Sequence, residues 1–285
     1  MPTMPARSGA WSRIGKPALS YALMLALAAF LIAPFVWMVL VSLQPNRAAI
    51  PEFADLWPKQ AHWENYVTVV SQEEVPVARF FLNSIVVAVC VVFGQLFVCS
   101  LAAYGFARLR FRGRDALFIV FLLSMMFAGP VTQIPVYLMV RSFGWLDTYW
   151  ALVVPGVSSA FSIFLLRQFF MQIPMELAEA ARLDGAGEFR IYARLVLPMS
   201  KAALATAGVF TFIGVWTDFF WPLLATDSLH MRTLEVGLSI FKTSYGTMNW
   251  PLQMTAAVVV MLPILVVFLT LQRHFVKGIT MGSIK

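Results

Sequence analysis

The sequence predicts an all-α membrane protein with six transmembrane helices. Three observations carry this. The 285 residues are 60% hydrophobic and only 12% charged, where a soluble domain has about 25% charged residues, so most of the surface does not face water. Six apolar runs each come near the roughly 20 residues that a helix needs to cross a bilayer. Lysine and arginine are also divided unevenly between the segments that join those runs.

The first run, 19–41, follows Arg7, Arg13 and Lys16 and has the outline of a signal peptide. It is too long for the apolar core of one and has no clear cleavage site, so it reads as a retained first span. The second, 80–107, holds both cysteines, Cys90 and Cys99. On a helix these are separated by about 13 Å of rise and point to opposite faces, so they cannot pair. The third run is 116–140. The fourth, 149–166, is the shortest, and Pro155-Gly156 interrupts it near one end. The fifth and sixth are 202–224 and 251–272. Pro34, Pro130, Pro135 and Pro263 lie in or beside runs, and each is expected to kink its helix. The organisation is therefore an N-terminal segment 1–18, a six-helix domain 19–272 that includes a charged loop 174–201, and a tail 273–285.

With the N-terminus inside, the inside segments hold fifteen of the 21 Lys and Arg residues and the outside segments six. This predicts that both termini are cytoplasmic. The net charge of +7 then fixes topology and does not imply nucleic acid. The two longer outside segments, 44–79 and 225–250, read as solvated connectors with interfacial aromatics.

Little in the spans suggests chemistry. His62, His230 and His274 are scattered without ligand spacing, so no metal site is expected. The phosphate-loop lookalike at 9–17 has one residue too many, and Pro17 stands where a magnesium-binding hydroxyl must be. No nucleophile elbow or HExxH is present, so an enzyme is not expected. Asp218, in Trp216-Thr217-Asp218-Phe219-Phe220-Trp221-Pro222, is the one acid inside the fifth run. Near the outer end of its span, it is either a lining or inter-helix group or a structural interfacial residue. The aromatics beside it suit an interfacial belt or a wall for sugar rings. The other spans lack internal charges, which argues against proton coupling but not against sodium coupling.

The loop 174–201 is different. Pro174 suits a first helical position, and acids follow in the first turn. Leu177, Ala180, Ala181 and Asp184 share a face, and Gly185 suits the left-handed residue that ends a helix. Glu188 opens a second short helix with Phe189, Tyr192 and Val196 on one side. The pattern is a helix–turn–helix tied between two spans, and two readings stand: docking into a groove of another protein, or packing on its own membrane domain.

Here the sequence resembles the permeases of ATP-binding cassette importers. Their signature is Glu-Ala-Ala, three residues, Gly, nine residues, an aliphatic residue, one residue, then Leu-Pro. It stands here as Glu179-Ala180-Ala181, Gly185, Leu195 and Leu197-Pro198, with Leu195 in place of the commoner Ile. The resemblance continues in Pro34-Phe35-Val36-Trp37-Met38, Ser42-Leu43-Gln44-Pro45, Asn83-Ser84, Ala102-Ala103-Tyr104-Gly105-Phe106-Ala107-Arg108 and the end of the chain from Gly278. These look like the second permease subunit of maltose-type carbohydrate importers.

That resemblance implies a six-helix permease of a bacterial inner membrane, working by alternating access. It implies a second permease subunit, two ATP-binding subunits and an extracytoplasmic sugar-binding protein. ATP and magnesium would be used by the partner subunit, and this chain would bind no cofactor. The loop would be the coupling helix, with Glu179, Ala180, Ala181, Arg182, Asp184, Gly185, Leu195 and Pro198 serving contact with the ATPase. The tail residues Gly278, Gly282 and Lys285 would approach the ATPase interface. Asn83, Trp216, Asp218, Phe219 and Phe220 are candidates for the translocation path. The competing reading is a self-sufficient secondary transporter, which should show paired broken helices, internal repeats and coupling-ion ligands; the sequence displays none of these.

Overall fold

The computed structural model describes residues 11–46, 56–71, 75–127, 129–244 and 249–281. Every regular element among them is helical. In order they are α1 (Trp11–Ser42), α2 (Glu64–Ser71), α3 (Val77–Arg108), α4 (Arg114–Ser124), α5 (Gly129–Ser142), α6 (Tyr149–Val153) and, after a 3₁₀ turn at Val154–Val157, α7 (Ala160–Gln172). Then come α8 (Met175–Leu183), α9 (Glu188–Ile191), a π-helical turn at Tyr192–Val196, α10 (Leu197–Met199), α11 (Lys201–Trp216), α12 (Phe220–Ala225), α13 (Leu234–Ser244) and α14 (Trp250–Met281). By length and composition four helical stretches among the described residues can cross a membrane alone, and up to six spans result if each bent pair is one span.

The chain forms two compact units. The smaller comprises residues 1–69 and 247–258. There the apolar side chains of α1 from Tyr21 to Val36 are almost all exposed, the pattern of a helix that faces lipid or another chain. The end of α1 is pinned by buried Asn65, whose amide donates to the carbonyls of Ser42 and Gln44 at 2.8 Å each. The Thr255 hydroxyl also donates to the Ser42 carbonyl, at 3.2 Å.

The larger unit is organised on α3, against which α6, α7, α11 and α13 pack. Glycines permit the closest approaches. A Cβ on Gly94 would lie 2.8 Å from Val157, and one on Gly156 would lie 3.0 Å from Val91, so the 3₁₀ turn presses directly on α3. Deeper in, the Gln95 amide donates to the hydroxyls of Ser162 and Thr211, both at 2.6 Å. This ties three helices with a buried polar knot.

Several expected elements differ in the structure. The run 116–140 is not one straight span: α4 and α5 are bent by 102°. The break precedes Gly129-Pro130, where the proline's missing N–H falls in the first turn and costs nothing. The fourth span continues past Leu166 to Gln172, across the 3₁₀ turn. The run 202–224 stops at Trp216, and residues 217–219 interrupt it before α12. The interruption expected at Pro155-Gly156 is the 3₁₀ turn, but the breaks before α5 and at 217–219 do not show in the sequence, because breaks of three or four residues barely change the mean hydropathy of a span-length window. α1 and α14 run through Pro34 and Pro263 without interruption, and α14 carries helix into the expected tail. The outer segment 225–250 is not merely a solvated connector. Leu234 and Val236 of α13 are buried, the Leu234 amide donates to Ser84 at 2.8 Å, and a Cβ on Gly237 would meet the Phe80 ring at 2.0 Å.

Candidate functional site

The loop between α7 and α11 is built from its helix ends. Pro174 is extended and precedes α8 as its cap rather than forming its first residue. At the other end Gly185 has φ +80°, its amide donates to the Arg182 carbonyl, and the Ala186 amide donates to that of Ala181. This pair of bonds around a left-handed glycine closes the helix. The π-helical turn follows from Pro198, whose ring cannot fit against the carbonyl four residues earlier in a regular α-helix. After Ser200 the chain bends by 79° into α11.

One face of the loop is anchored. Both oxygens of Glu188 are engaged, one by Arg182 Nε at 2.7 Å and the other by the Tyr104 hydroxyl at 2.6 Å. The Glu188 carboxylate raises the pKa of Arg182 above its ordinary value, so Arg182 stays charged at any working pH. Ser100 and Tyr192 share a hydrogen bond of 2.7 Å, and the rings of Tyr104 and Tyr192 lie 5.4 Å apart. The guanidinium of Arg108 donates to the carbonyls of Phe170 and Ile173. That satisfies acceptors left open at the end of α7. Ala178, Ile191 and Val196 are buried in the same core, with Ala181 and Leu195 packed against it.

The other face is free. Glu179, Ala180, Asp184, Gly185 and Pro198 are exposed, and Leu183 and Phe189 are 90% and 70% exposed. The expected grouping of Ala180 with Ala181 is therefore split, the first exposed and the second packed inward, while Phe189 and Tyr192 do meet, with ring centroids 5.9 Å apart, although only Tyr192 is buried. Tyr104, Arg108 and Glu188 were not predicted as functional. The signal available was the run Ala102–Arg108, which carried the resemblance without any assigned role. Gly278 falls in α14, and its side-chain environment is not described; Gly282 and Lys285 lie outside the described residues.

The five path candidates separate. Asn83 is fully buried. Its amide donates to the carbonyls of His230 and Arg232 at 2.7 and 2.9 Å, and it accepts the Tyr149 hydroxyl at 2.7 Å. It is thus wholly occupied in holding the 230–232 connection. Trp216 is buried and donates to the Val260 carbonyl at 3.0 Å. Phe219 and Phe220 point outward, 39% and 46% exposed. Of the five, only Asp218 lines a cavity of about 240 Å³ between α3, α5, the 3₁₀ turn and the break before α12. One Asp218 oxygen accepts the Trp221 amide at 3.2 Å. The cavity is walled by Gln133 of α5, Pro155 and Gly156 of the 3₁₀ turn, and Asp218 and Trp221 at the break before α12.

Residues 10–281 match the family model described as "Binding-protein-dependent transport system inner membrane component". The chain belongs to this family. It is a membrane component of a transport system, and the chemistry of ATP is carried by another subunit of such systems. The trehalose/maltose transport system permease protein MalG of Thermococcus litoralis is 32% identical over 88% of this chain and 91% of its own length. The sn-glycerol-3-phosphate transport system permease protein UgpE of Yersinia pestis is 37% identical over 76% of this chain and 79% of its own. A chain from the crystal structure of a bacterial ABC transporter involved in the import of the acidic polysaccharide alginate superposes with a TM-score of 0.78 at 23% identity, covering 95% of this permease and 100% of that chain. It shares the fold. The family match, and not the pattern of helix breaks, sets aside the reading of a self-sufficient secondary transporter.

Proposed function

We propose that this permease is one half of the translocation path of an ATP-driven carbohydrate importer, and that loop 174–201 is where ATP hydrolysis in a partner becomes movement here. The observation that carries the reading is the two-sidedness of the loop. Its inner face is locked to α3 through Glu188, Tyr104 and Tyr192. Its outer face offers Glu179, Ala180, Leu183 and Phe189 to a partner. A small stiff helix exposed on one side and bonded to a long span on the other passes a push from one to the other, which a two-state transporter requires.

The reading places both termini and the loop in the cytoplasm. It supplies a second permease subunit, two ATP-binding subunits that use ATP and magnesium, and an extracytoplasmic sugar-binding protein. It also assigns the tail residues Gly278, Gly282 and Lys285 a role near the interface with the ATP-binding pair. Carbohydrate cargo is supported by relatives named for trehalose and maltose and for a glycerol phosphate. The test is purification of the assembled transporter and its reconstitution in liposomes. An ATP-binding subunit is expected to co-purify, and sugar uptake should need both internal ATP and the binding protein. Uptake by the chain alone, driven by an ion gradient, would overturn the proposal.

A further inference from the structure

We propose that the cavity beside Asp218 is a binding site for one uncharged sugar ring, and that Asp218 keeps anionic cargo out of it. The inference rests on the carbohydrate-import reading above and adds the site and its selectivity.

Unpartnered polar atoms point to a ligand. The hydroxyl of Thr233, a residue only 6% exposed, has no hydrogen-bond partner, and neither does the buried amide oxygen of Gln133. Both line this cavity. Buried polar groups in native proteins are almost always satisfied, and both of these residues belong to the wall of one cavity, so a ligand held there, with a small turn of either side chain, would satisfy them. A hydroxyl, which donates and accepts, suits a threonine hydroxyl, an amide and a carboxylate alike.

The backbone agrees. Interruptions near α5, at Val154–Val157 and at 217–219 come from three different parts of the chain, and residues at or just beyond each line the same space. Irregular backbone at membrane depth is tolerated where it is buried in protein or lines a cavity. The Trp221 indole, fixed by its bond to the Ala151 carbonyl at 3.0 Å, gives a rigid apolar wall beside Pro222, suited to the C–H face of a ring. At about 240 Å³ the space falls below the roughly 300 Å³ where drug-sized pockets begin, which suits a single ring.

Selectivity follows from charge. Asp218 is the one ionisable side chain among the lining residues, and no lysine, arginine or histidine is among them. A second negative charge about 6 Å from a carboxylate, at an effective dielectric near 20, is disfavoured on the order of a hundredfold in affinity. Phosphorylated or uronic units should thus be rejected here.

The assembled transporter in nanodiscs, with the binding protein left out, tests this by saturation-transfer NMR, using maltose, trehalose and sn-glycerol-3-phosphate as probes. The wild type should bind the two neutral sugars and not the phosphate. Thr233→Val removes only an unpartnered hydroxyl, so it should leave the unfolding temperature unchanged while weakening neutral-sugar binding about fivefold to tenfold. Asp218→Asn keeps an oxygen to accept the Trp221 amide and should admit glycerol-3-phosphate. The proposal is overturned if neither neutral sugar binds the wild type, if Thr233→Val binds them as well as wild type does, or if the phosphate binds wild type and Asp218→Asn equally. With binding protein and ATP restored, equal carbohydrate uptake by wild type and both variants would sink the cavity alone. Absence of any carbohydrate uptake by the wild type would instead sink the import reading.

Discussion

Gly185 and Glu188 do opposite jobs within four positions of sequence. Gly185 sits at φ +80° with open space where a Cβ would go, so its constraint is the backbone alone. A β-branched residue there costs about 1–2 kcal/mol or more and redirects the chain leaving α8. Gly185→Val should abolish transport while the protein still accumulates in the membrane, and Gly185→Asn, which tolerates the left-handed region, should retain a measurable share. Glu179→Lys reverses the charge of an exposed residue and should block transport at normal membrane levels; normal uptake by it would remove the loop from the mechanism. Glu188 instead acts through contacts. Tyr104→Phe deletes one of its two bonds and should lower unfolding stability by about 1 kcal/mol, with faster hydrogen exchange across α8 and α9. Asp147 is a clamp outside the spans. It adopts φ 59°, and one of its oxygens accepts the amides of Asp227 and Ser228 and the Ser228 hydroxyl. Burial alone would raise its pKa, but these bonds outweigh burial and hold the carboxyl below its ordinary value. Such a group contributes stability above its unfolded pKa of about 3.9 and loses it as pH falls through the folded value. Asp147→Ala should therefore be less stable than wild type at pH 7, with the gap narrowing below about pH 4 in thermal unfolding.

Among the elements, the contact of α13 with α3 is the most sterically exacting. A methyl on Gly237 would enter the buried Phe80 ring, whose exposure is 0%. Gly237→Ala should destabilise by about 1–3 kcal/mol through overpacking, and Phe80→Leu should restore part of that in the double variant. A fully additive double variant would mean that the two do not meet. The loop helices α8 to α10 are short and would be marginal in isolation. They are held by contacts to α3 and α7, and the Arg108 guanidinium joins the end of α7 to the start of α8 through Met175, 3.1 Å from its sulfur.

For the whole molecule, fifteen of the 21 basic residues fall in one set of segments, and this bias predicts the orientation. Phosphatase fusions at either terminus should be inactive, and fluorescent-protein fusions there should be bright. An active phosphatase at one end would reverse the topology and take the loop away from any cytoplasmic partner. The outward apolar side chains of α1 belong to this scale too, since a patch of that size is covered only by lipid or another subunit.

The six apolar runs, their basic flanks and the spacing from Glu179 to Pro198 are local properties, and each is legible residue by residue. They determined the fold class, the family and the loop. Span boundaries were less legible, because hydropathy averages over some 20 residues and passes over the bend before α5 and the interruption at 217–219, whereas Pro155-Gly156 announced the turn at 154–157. The site was legible only in part. Glu179 and Gly185 stand in a motif, but Asn83 and Trp216 look like path residues until their partners at 230–232 and 260 are seen. Tyr104 meets Glu188 across 84 positions, and Gln133, Thr233 and Asp218 line one cavity from three separate stretches of the chain. No local pattern encodes such meetings. The apolar pattern around Asp218 showed that it lies in a span, and tertiary packing decided that it faces a cavity, because the helix breaks there and turns its carboxylate inward.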